Sequence, residues 1–383
     1  MYNLTGDNMS SVYIHIPFCA SKCPYCDFYS FRTDKGTADR YIDAVLDEIS
    51  TLRRSSQFVS GDFNAQTLYL GGGTPSVLGG EALYRIITAA KEKFGIPSDG
   101  EITVECNPAS DIESIAPFLA SAGVNRVSLG LQSAVDGERR MLGRLSGRER
   151  VSEVLKILRG NGIENISLDV MLGIPIQTEA SLDKTLDFVI GENAAHVSAY
   201  ILKLEENTVF YKNREKYDFP DDDAAADLYE HCCERLENAG YEHYEISNFA
   251  RSGFESRHNS AYWLLEDYLG IGAAAHSFVN GRRFYYTRSA ADFIDGKPPV
   301  FDCAGGDAVE YIMLRLRLKK GLSVSETRRL YGESAVENII KKAPFLNERG
   351  LVSFDGEQLS LTTRGMLVSN AVIAEFIQNV STV

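Results

Sequence analysis

Three cysteines within eight residues constrain this chain more than any other feature of its sequence. Cys19, Cys23 and Cys26 form the pattern CxxxCxxC in a loop that follows the first apolar strand. Three soft thiolates at this spacing can hold three corners of a cubic [4Fe-4S] cluster, because one short loop can wrap one cube. The fourth iron would then lack a protein ligand and could bind the amino and carboxylate groups of S-adenosylmethionine.

Structural zinc is the alternative occupant of this loop. Zinc sites usually draw four ligands from paired CxxC or Cys/His elements. No second cysteine pair follows, although His15 could supply a fourth ligand. The spacing favours the cluster and leaves zinc open. The remaining cysteines are too scattered to suggest a disulfide framework; they are Cys106, Cys232, Cys233 and Cys303.

From residue 12 to about residue 240, short apolar strands alternate with amphipathic helix-like segments. This alternation predicts β-α units with parallel strands. Six units are fewer than the eight of a closed barrel, so we predict an α/β fold with a partial (β/α)6 TIM-like barrel. Its active face would lie at the carboxyl ends of the strands. The predicted strands cover residues 12–16, 67–70, 102–105, 126–131, 166–172 and 196–202.

Two further segments follow the predicted barrel, which itself covers residues 1–240. Residues 241–304 are aromatic-rich and punctuated by glycine, which predicts strands and loops that close one side of the barrel. Residues 305–383 contain helix-like segments, a hairpin turned at Asp355 and Gly356, and a last helix. This order predicts a smaller, mainly helical, winged-helix-like domain.

The charge balance argues against nucleic-acid and membrane partners. The chain has 39 Lys and Arg against 53 Asp and Glu, a net charge of -14. The winged-helix-like segment has ten basic and nine acidic residues, and its hairpin carries Asp355 and Glu357. No run approaches the roughly 18 apolar residues of a membrane span, and the first residues do not look like a secretion signal. We therefore expect a cytoplasmic protein.

Several motifs in order resemble the radical S-adenosylmethionine superfamily. Within it the sequence is most similar to the oxygen-independent coproporphyrinogen oxidase group, and there to its haem-chaperone branch, HemW. The resemblance covers nearly the whole chain. It rests on YIHIPFCxxxCxYCDF from residue 13, GGGTPS at 71–76, SLGLQS at 128–133 and HNSAYW at 258–263.

The resemblance implies a set of residues that bind S-adenosylmethionine or a second molecule of it. Glu105 and Asp169 place carboxylates at the barrel mouth, where they can accept hydrogen bonds from ribose hydroxyls or an ammonium group. From position alone, each is equally well explained as a solvated strand-end acid. The glycine turn after TLYL lets backbone amides and carbonyls approach a ligand. The implied residues are Tyr13, Tyr25, Gly72, Gly73, Thr74, Glu105, Gln132, Arg144 and Asp169.

The resemblance also implies a haem site in HNSAYW. His258 could ligate the haem iron axially, and Tyr262 and Trp263 offer flat apolar surfaces to a porphyrin. Without the resemblance, a lone histidine in an aromatic patch is more typical of a hydrogen-bonded structural residue.

We therefore expect a haem chaperone that transfers haem to acceptor haemoproteins and carries a [4Fe-4S] cluster and S-adenosylmethionine. The alternative is an oxygen-independent coproporphyrinogen III dehydrogenase, which decarboxylates porphyrinogen propionates oxidatively by radical chemistry. Dehydrogenases of this group carry a further cysteine two positions after the third ligand, where this chain has Phe28. This difference favours the chaperone and leaves open whether the chain is an enzyme.

Overall fold

A computed structural model describes residues 10–59, 61–378 and 380 of the chain. The first nine residues, where a secretion signal was sought, lie outside the described residues. So do the last three residues of the predicted segment 305–383.

Six parallel strands in sequence order form the middle of a large sheet. All six predicted strands are confirmed, with ends shifted by at most two residues. Helical crossovers connect them, as parallel strands require. The strands are β1 (Ser11–Ile16), β2 (Thr67–Gly72), β3 (Glu101–Cys106), β4 (Arg126–Gln132), β5 (Asn165–Leu172) and β6 (His196–Ile201).

Six more strands extend this sheet to twelve strands within the described residues. They are β7 (Glu242–Glu245), β8 (Asn248–Ala250), β9 (Tyr268–Ile271), β10 (His276–Val279), β11 (Arg282–Tyr285) and β12 (Val300–Ala304). Strands β8 and β7 continue from β6, whereas β9 to β12 continue from β1. Residues 241–304 therefore extend both edges of the sheet, and the prediction that they close one side is wrong. Sequence order alone does not show which edge a strand joins.

Helices cover the outer side of the sheet and build most of the C-terminal segment. HNSAYW lies in a short helix, α9, where the sequence analysis expected strands and loops. The helices are α1 (Lys35–Thr51), α2 (Gly80–Lys93), α3 (Ile112–Ala122), α4 (Asp136–Met141), α5 (Arg148–Gly160), α6 (Glu179–Gly191), α7 (Val209–Lys212), α8 (Asp222–Asn238), α9 (Arg257–Trp263), α10 (Ala290–Ile294), α11 (Ala308–Arg315), α12 (Val324–Tyr331), α13 (Glu337–Glu348), α14 (Thr363–Leu367) and α15 (Ser369–Ile377).

The C-terminal segment adds a small three-stranded sheet to its helices. Its strands are β13 (Leu322–Ser323), β14 (Val352–Phe354) and β15 (Gln358–Leu361), in the order β13-β15-β14. The predicted hairpin turn is present, with Gly356 at φ +99°. One continuous apolar core joins this sheet to the barrel. Among the described residues, no helix is both long and apolar enough to cross a membrane.

Candidate cofactor site

A cavity of about 820 Å³ opens at the carboxyl ends of β2 to β6. This is the end of a parallel sheet at which ligands bind in barrel folds. All the predicted metal and cofactor residues except Tyr13 line it. They are Cys19, Cys23, Tyr25, Cys26, Gly72, Gly73, Thr74, Glu105, Gln132, Arg144 and Asp169.

Tyr13 lies in the barrel interior and does not line the cavity. Its hydroxyl is 2.9 Å from Nδ1 of His15, whose Nε2 is 2.9 Å from the carbonyl oxygen of Tyr29. Both nitrogens of this buried imidazole are therefore used within the protein. The fourth zinc ligand considered for His15 is not available in this arrangement.

The cysteine loop is fixed at both ends by backbone hydrogen bonds. The N–H of Cys19 donates to the carbonyl of Phe31 at 3.0 Å, and the N–H of Cys26 donates to the carbonyl of Cys23 at 3.2 Å. Sγ of Cys19 lies 3.5 Å from Oγ1 of Thr74, at the neighbouring strand end. The loop therefore presents its three thiols to the cavity.

The spacing of these sulfurs separates the two candidate metals. A tetrahedral zinc ion with Zn–S bonds of about 2.3 Å would hold its sulfurs about 3.8 Å apart. The three cysteine sulfurs, all on described residues, do not come within 4.8 Å of one another. This wider arrangement suits a multi-iron cluster better than a single ion. The donor set therefore fits a [4Fe-4S] cluster.

Burial raises the pKa of the Cys26 thiol, while the Lys22 ammonium and a hydrogen bond from the backbone N–H of Phe28 oppose the rise. Only the thiolate ligates metal, so binding of a cluster would displace this proton.

The glycine turn after β2 leaves no room for side chains. Gly72 has φ +109°, and a Cβ there would lie 2.3 Å from the ring of His15. A Cβ on Gly73 would lie 2.6 Å from the carbonyl oxygen of Phe18. Glycine is therefore required at both positions because the backbone packs against neighbouring groups.

The amides of this turn are already used, contrary to the expectation that they meet a ligand. The N–H of Gly72 donates to Oε2 of Glu105 at 3.1 Å. The N–H groups of Gly73 and Thr74 donate, at 2.8 Å each, to backbone carbonyls at and just beyond the end of β1. The turn therefore joins the cysteine loop to β2.

Two carboxylates at the cavity floor have raised pKa values. Burial raises the pKa of Glu105 to about 7, although hydrogen bonds from the hydroxyl of Tyr69 (2.8 Å) and from Gly72 oppose the rise. Burial also raises the pKa of Asp169, which accepts a hydrogen bond from Ser128 at 2.9 Å. A cationic or hydroxyl-bearing ligand would compensate these desolvated acids.

We expect the stability of the ligand-free protein to fall as pH rises through the interval set by Glu105. The unfolded chain releases this proton near pH 4.5 and the folded chain near pH 7, so the folded state binds more protons between those values. The loss is at most on the order of 3 kcal/mol and is complete above about pH 7.5. Glu105→Gln should flatten this part of the pH profile in urea unfolding.

Glu113→Gln is the matched control for this measurement. Hydrogen bonds from Arg150 lower the pKa of the exposed Glu113 to about 2, so this group does not titrate in the same interval. Its variant should keep the wild-type slope. An equal slope for wild type and Glu105→Gln would contradict the assignment.

The far side of the cavity is held in an uncommon backbone conformation. Gln132 has φ +69° at a bulge between β4 and β5, and strain of this kind often accompanies function. Its side-chain oxygen accepts a hydrogen bond from Tyr200 at 3.1 Å. Nε of Arg144 donates to the hydroxyl of Tyr25 at 3.2 Å, which links two residues that only the resemblance selected.

Sequence reasoning missed three polar partners of the site: Tyr69, Ser128 and Tyr200. Strand alternation could have found them. Tyr69 is two residues before the glycine turn, and Ser128 and Tyr200 lie on predicted strands beside Asp169. Side chains at every second position of a strand share a face.

The predicted haem residues do not meet at an open surface. His258 is 1% exposed, with Nδ1 2.7 Å from Oγ1 of Thr67 and Nε2 2.8 Å from the hydroxyl of Tyr262. The indole of Trp263 is covered by Arg317, whose guanidinium lies 4.3 Å from the ring centroid. Neither nitrogen of His258 is free, so this placement does not fit the predicted axial ligand.

Helix α9 instead fills the amino-terminal end of the barrel. The buried carboxylate of Glu101 accepts hydrogen bonds from the N–H groups of Arg257 and His258, at 2.9 Å each. The His258 imidazole stacks on Tyr69, with centroids 5.0 Å apart. Burial lowers the pKa of His258 to about 3, so the ring is neutral. HNSAYW is therefore a structural plug in this state.

Comparison with known proteins agrees with this architecture. Residues 13–189 match the radical SAM superfamily, and residues 307–368 match the HemN C-terminal domain. The solved structure of coproporphyrinogen III oxidase (HemN) from Escherichia coli has a TM-score of 0.82 at 23% identity, covering 98% of this chain and 92% of that chain. The fold and the cysteine loop thus define a radical SAM protein.

The curated relatives narrow this class. Haem chaperone HemW of Bacillus subtilis (strain 168) is 34% identical, covering 96% of this chain and 99% of its own. HemW of Lactococcus lactis subsp. lactis (strain IL1403) is 32% identical, covering 96% and 97%. HemW of Escherichia coli (strain K12) is 33% identical, covering 96% and 98%. The chain belongs to the HemW family.

Proposed function

We propose that this chain is a haem chaperone that passes haem to acceptor haemoproteins, with a [4Fe-4S] cluster and S-adenosylmethionine as its cofactors. The cavity carries the cofactor proposal, because one opening gathers three cysteine thiols, a glycine turn and two desolvated carboxylates. The haem proposal is supported by the names of relatives that match 96% of the chain.

The residues of the cavity have distinct roles in this proposal. Cys19, Cys23 and Cys26 would hold three irons, and Glu105 and Asp169 would accept hydrogen bonds from the hydroxyl or ammonium groups of S-adenosylmethionine. When bound together, the cluster and the nucleotide supply one-electron reductive chemistry. The 820 Å³ volume is within the range of small-molecule sites.

Phe28 supports the chaperone over the dehydrogenase. It occupies the position where the resemblance implies a cysteine in dehydrogenases, and it is 72% exposed at the cavity rim. A phenyl ring can neither ligate metal nor exchange a proton. This position therefore offers no thiol for decarboxylation chemistry.

The decisive experiment compares transfer with catalysis. Protein reconstituted anaerobically with iron and sulfide, and then loaded with haem, is mixed with apomyoglobin in the presence of S-adenosylmethionine. We expect about four irons per chain and the appearance of the holomyoglobin spectrum. The same reduced protein is assayed with coproporphyrinogen III. Carbon dioxide release with protoporphyrinogen formation would establish the dehydrogenase, and failure to transfer bound haem would remove the chaperone.

A further inference from the structure

We infer that His276, rather than His258, is the axial ligand of the haem iron, on a surface formed by His276, Tyr285 and Val300. We call this surface the His276 face. The inference rests on the proposed haem-chaperone function and identifies where the cargo is held.

Buried histidines do not meet the requirement for iron ligation, which is an accessible ring nitrogen with a free lone pair. The chain has six histidines, all on described residues. His15, His196 and His258 are at most 5% exposed, and each has both ring nitrogens within 2.9 Å of a hydrogen-bonding partner. His243 is also buried and stacks on Phe249 with centroids 4.2 Å apart. These four rings are sealed in the core.

Two histidines reach the surface, and one of them is already held. Nε2 of His231 is 2.9 Å from a carboxylate oxygen of Asp183, and its Nδ1 is 3.7 Å from Glu179. The imidazole of His276 is exposed and has no hydrogen-bond partner in the part of the chain that the structure describes. Burial of part of the ring lowers its pKa, which favours the neutral form that binds iron.

His276 lies at the same edge of the sheet as the cysteine loop. Strand β9 runs parallel to β1 and β10 returns antiparallel, so the first residue of β10 lies at the carboxyl edge of β1. Two strand spacings of about 4.8 Å place it about 10 Å across the sheet from β1. A guanidinium nitrogen of Arg288 also donates to the carbonyl of Asp27 at 2.8 Å, which ties the segment after β11 to the cysteine loop.

The neighbours of His276 form a surface suited to a flat macrocycle. His276 pairs with Tyr285 across the strands, and Tyr285 pairs with Val300. The rings of His276 and Tyr285 stack with centroids 5.2 Å apart and planes 24° apart. Val300 is 41% exposed on the same face. An exposed imidazole beside an aromatic ring and an aliphatic side chain offers a porphyrin both a ligand and apolar contact.

An unpaired cation lies near this surface. Backbone hydrogen bonds join Ala274 to Thr287 and Ala275 to Tyr286, so the strand pairing continues towards Arg288. Three residues of strand separate Arg288 from the level of His276, or about 10 Å. Arg288 is exposed and forms no ion pair among the described residues. It can meet a haem propionate at the edge of the macrocycle.

An open surface suits a cargo that must leave. With His276 on one side of the haem, the other side of the iron faces solvent and can bind a ligand from an acceptor protein. Transfer is then a ligand exchange: the acceptor–iron bond forms, the His276–iron bond breaks, and the imidazole recovers its lone pair. No electron is gained or lost, so this step needs no oxidant or reductant.

The test is a haem titration of the full-length protein monitored by the Soret band and by electron paramagnetic resonance. We expect His276→Ala to weaken haem binding at least about tenfold and to remove the histidine-ligand signature, which added imidazole should restore. Tyr285→Leu should weaken binding a few-fold and keep the signature. His231→Ala, the other surface histidine, should match wild type.

The outcomes separate the inference from the proposed function. If wild type binds no haem, the proposed function fails and the inference fails with it. If wild type binds haem and His276→Ala retains its affinity and signature, only the inference is overturned. His258→Ala is checked first for folding by circular dichroism, because it leaves buried partners unpaired. Loss of the signature in a folded His258→Ala protein, but not in His276→Ala, would assign the ligand to His258 and also overturn the inference.

Discussion

Cys23→Ser is expected to abolish cluster binding. A wild-type chain reconstituted without oxygen should hold about four irons and four sulfides, whereas the variant should lose at least about nine-tenths of both, together with the broad visible absorption. The reason is the donor set. Serine replaces a soft thiolate with a hard, protonated oxygen, and the two remaining thiols hold only two corners of a cube. Iron and sulfide analysis with absorption spectroscopy measures the change.

Cys303→Ser is the matched control for this substitution. Cys303 is an exposed thiol on β12 and does not line the cavity. The variant should keep the full iron and sulfide content. Full content in Cys23→Ser would show that the cluster uses another ligand, and equal loss in both variants would show that the cluster is not held by the loop.

Gly72→Ala is expected to destabilise the protein by about 2–5 kcal/mol, measured by urea unfolding. Two effects contribute. A φ of +109° is strained for alanine, which costs about 1–3 kcal/mol. The new Cβ would also lie 2.3 Å from the His15 ring, and overpacking of this kind costs about 1–3 kcal/mol. Because His15 lies behind the turn, the variant should also weaken S-adenosylmethionine binding.

Gly162→Ala separates these two effects. Gly162 also has a positive φ, +82°, but a Cβ there meets no atom within 4 Å. We expect this control to lose about 1 kcal/mol from backbone strain alone. Equal losses in the two variants would show that the His15 ring moves aside and that the turn is not rigid.

The barrel and its cofactor end could be predicted because their signals are local. Each parallel strand is a short apolar run between amphipathic helices, so its position can be identified without its neighbours. Cys19, Cys23 and Cys26 act from one loop, and Glu105 and Asp169 lie on strands whose carboxyl ends share an edge. Topology alone brings these groups together.

The remainder depends on contacts between distant segments. His258 belongs to a motif that suggests an exposed ligand, but its environment is set by Thr67 and Glu101, which are more than 150 residues away. The environment of Tyr13 is likewise decided by the ring of His15 beside it and by what fills the barrel. Residues 241–304 divide between two sheet edges, and only strand pairing shows this. Periodicity carries no information about such choices.

The helix that caps the amino-terminal end of the barrel makes the cavity a one-door chamber. With Arg257 and His258 anchored on the first residue of β3, traffic through that end is blocked. Iron, sulfide, nucleotide and electrons must all arrive through the opening beside the cysteine loop. Assembly and use of the cofactors then have to alternate in time, because the carrier that delivers one component blocks the entrance for the next.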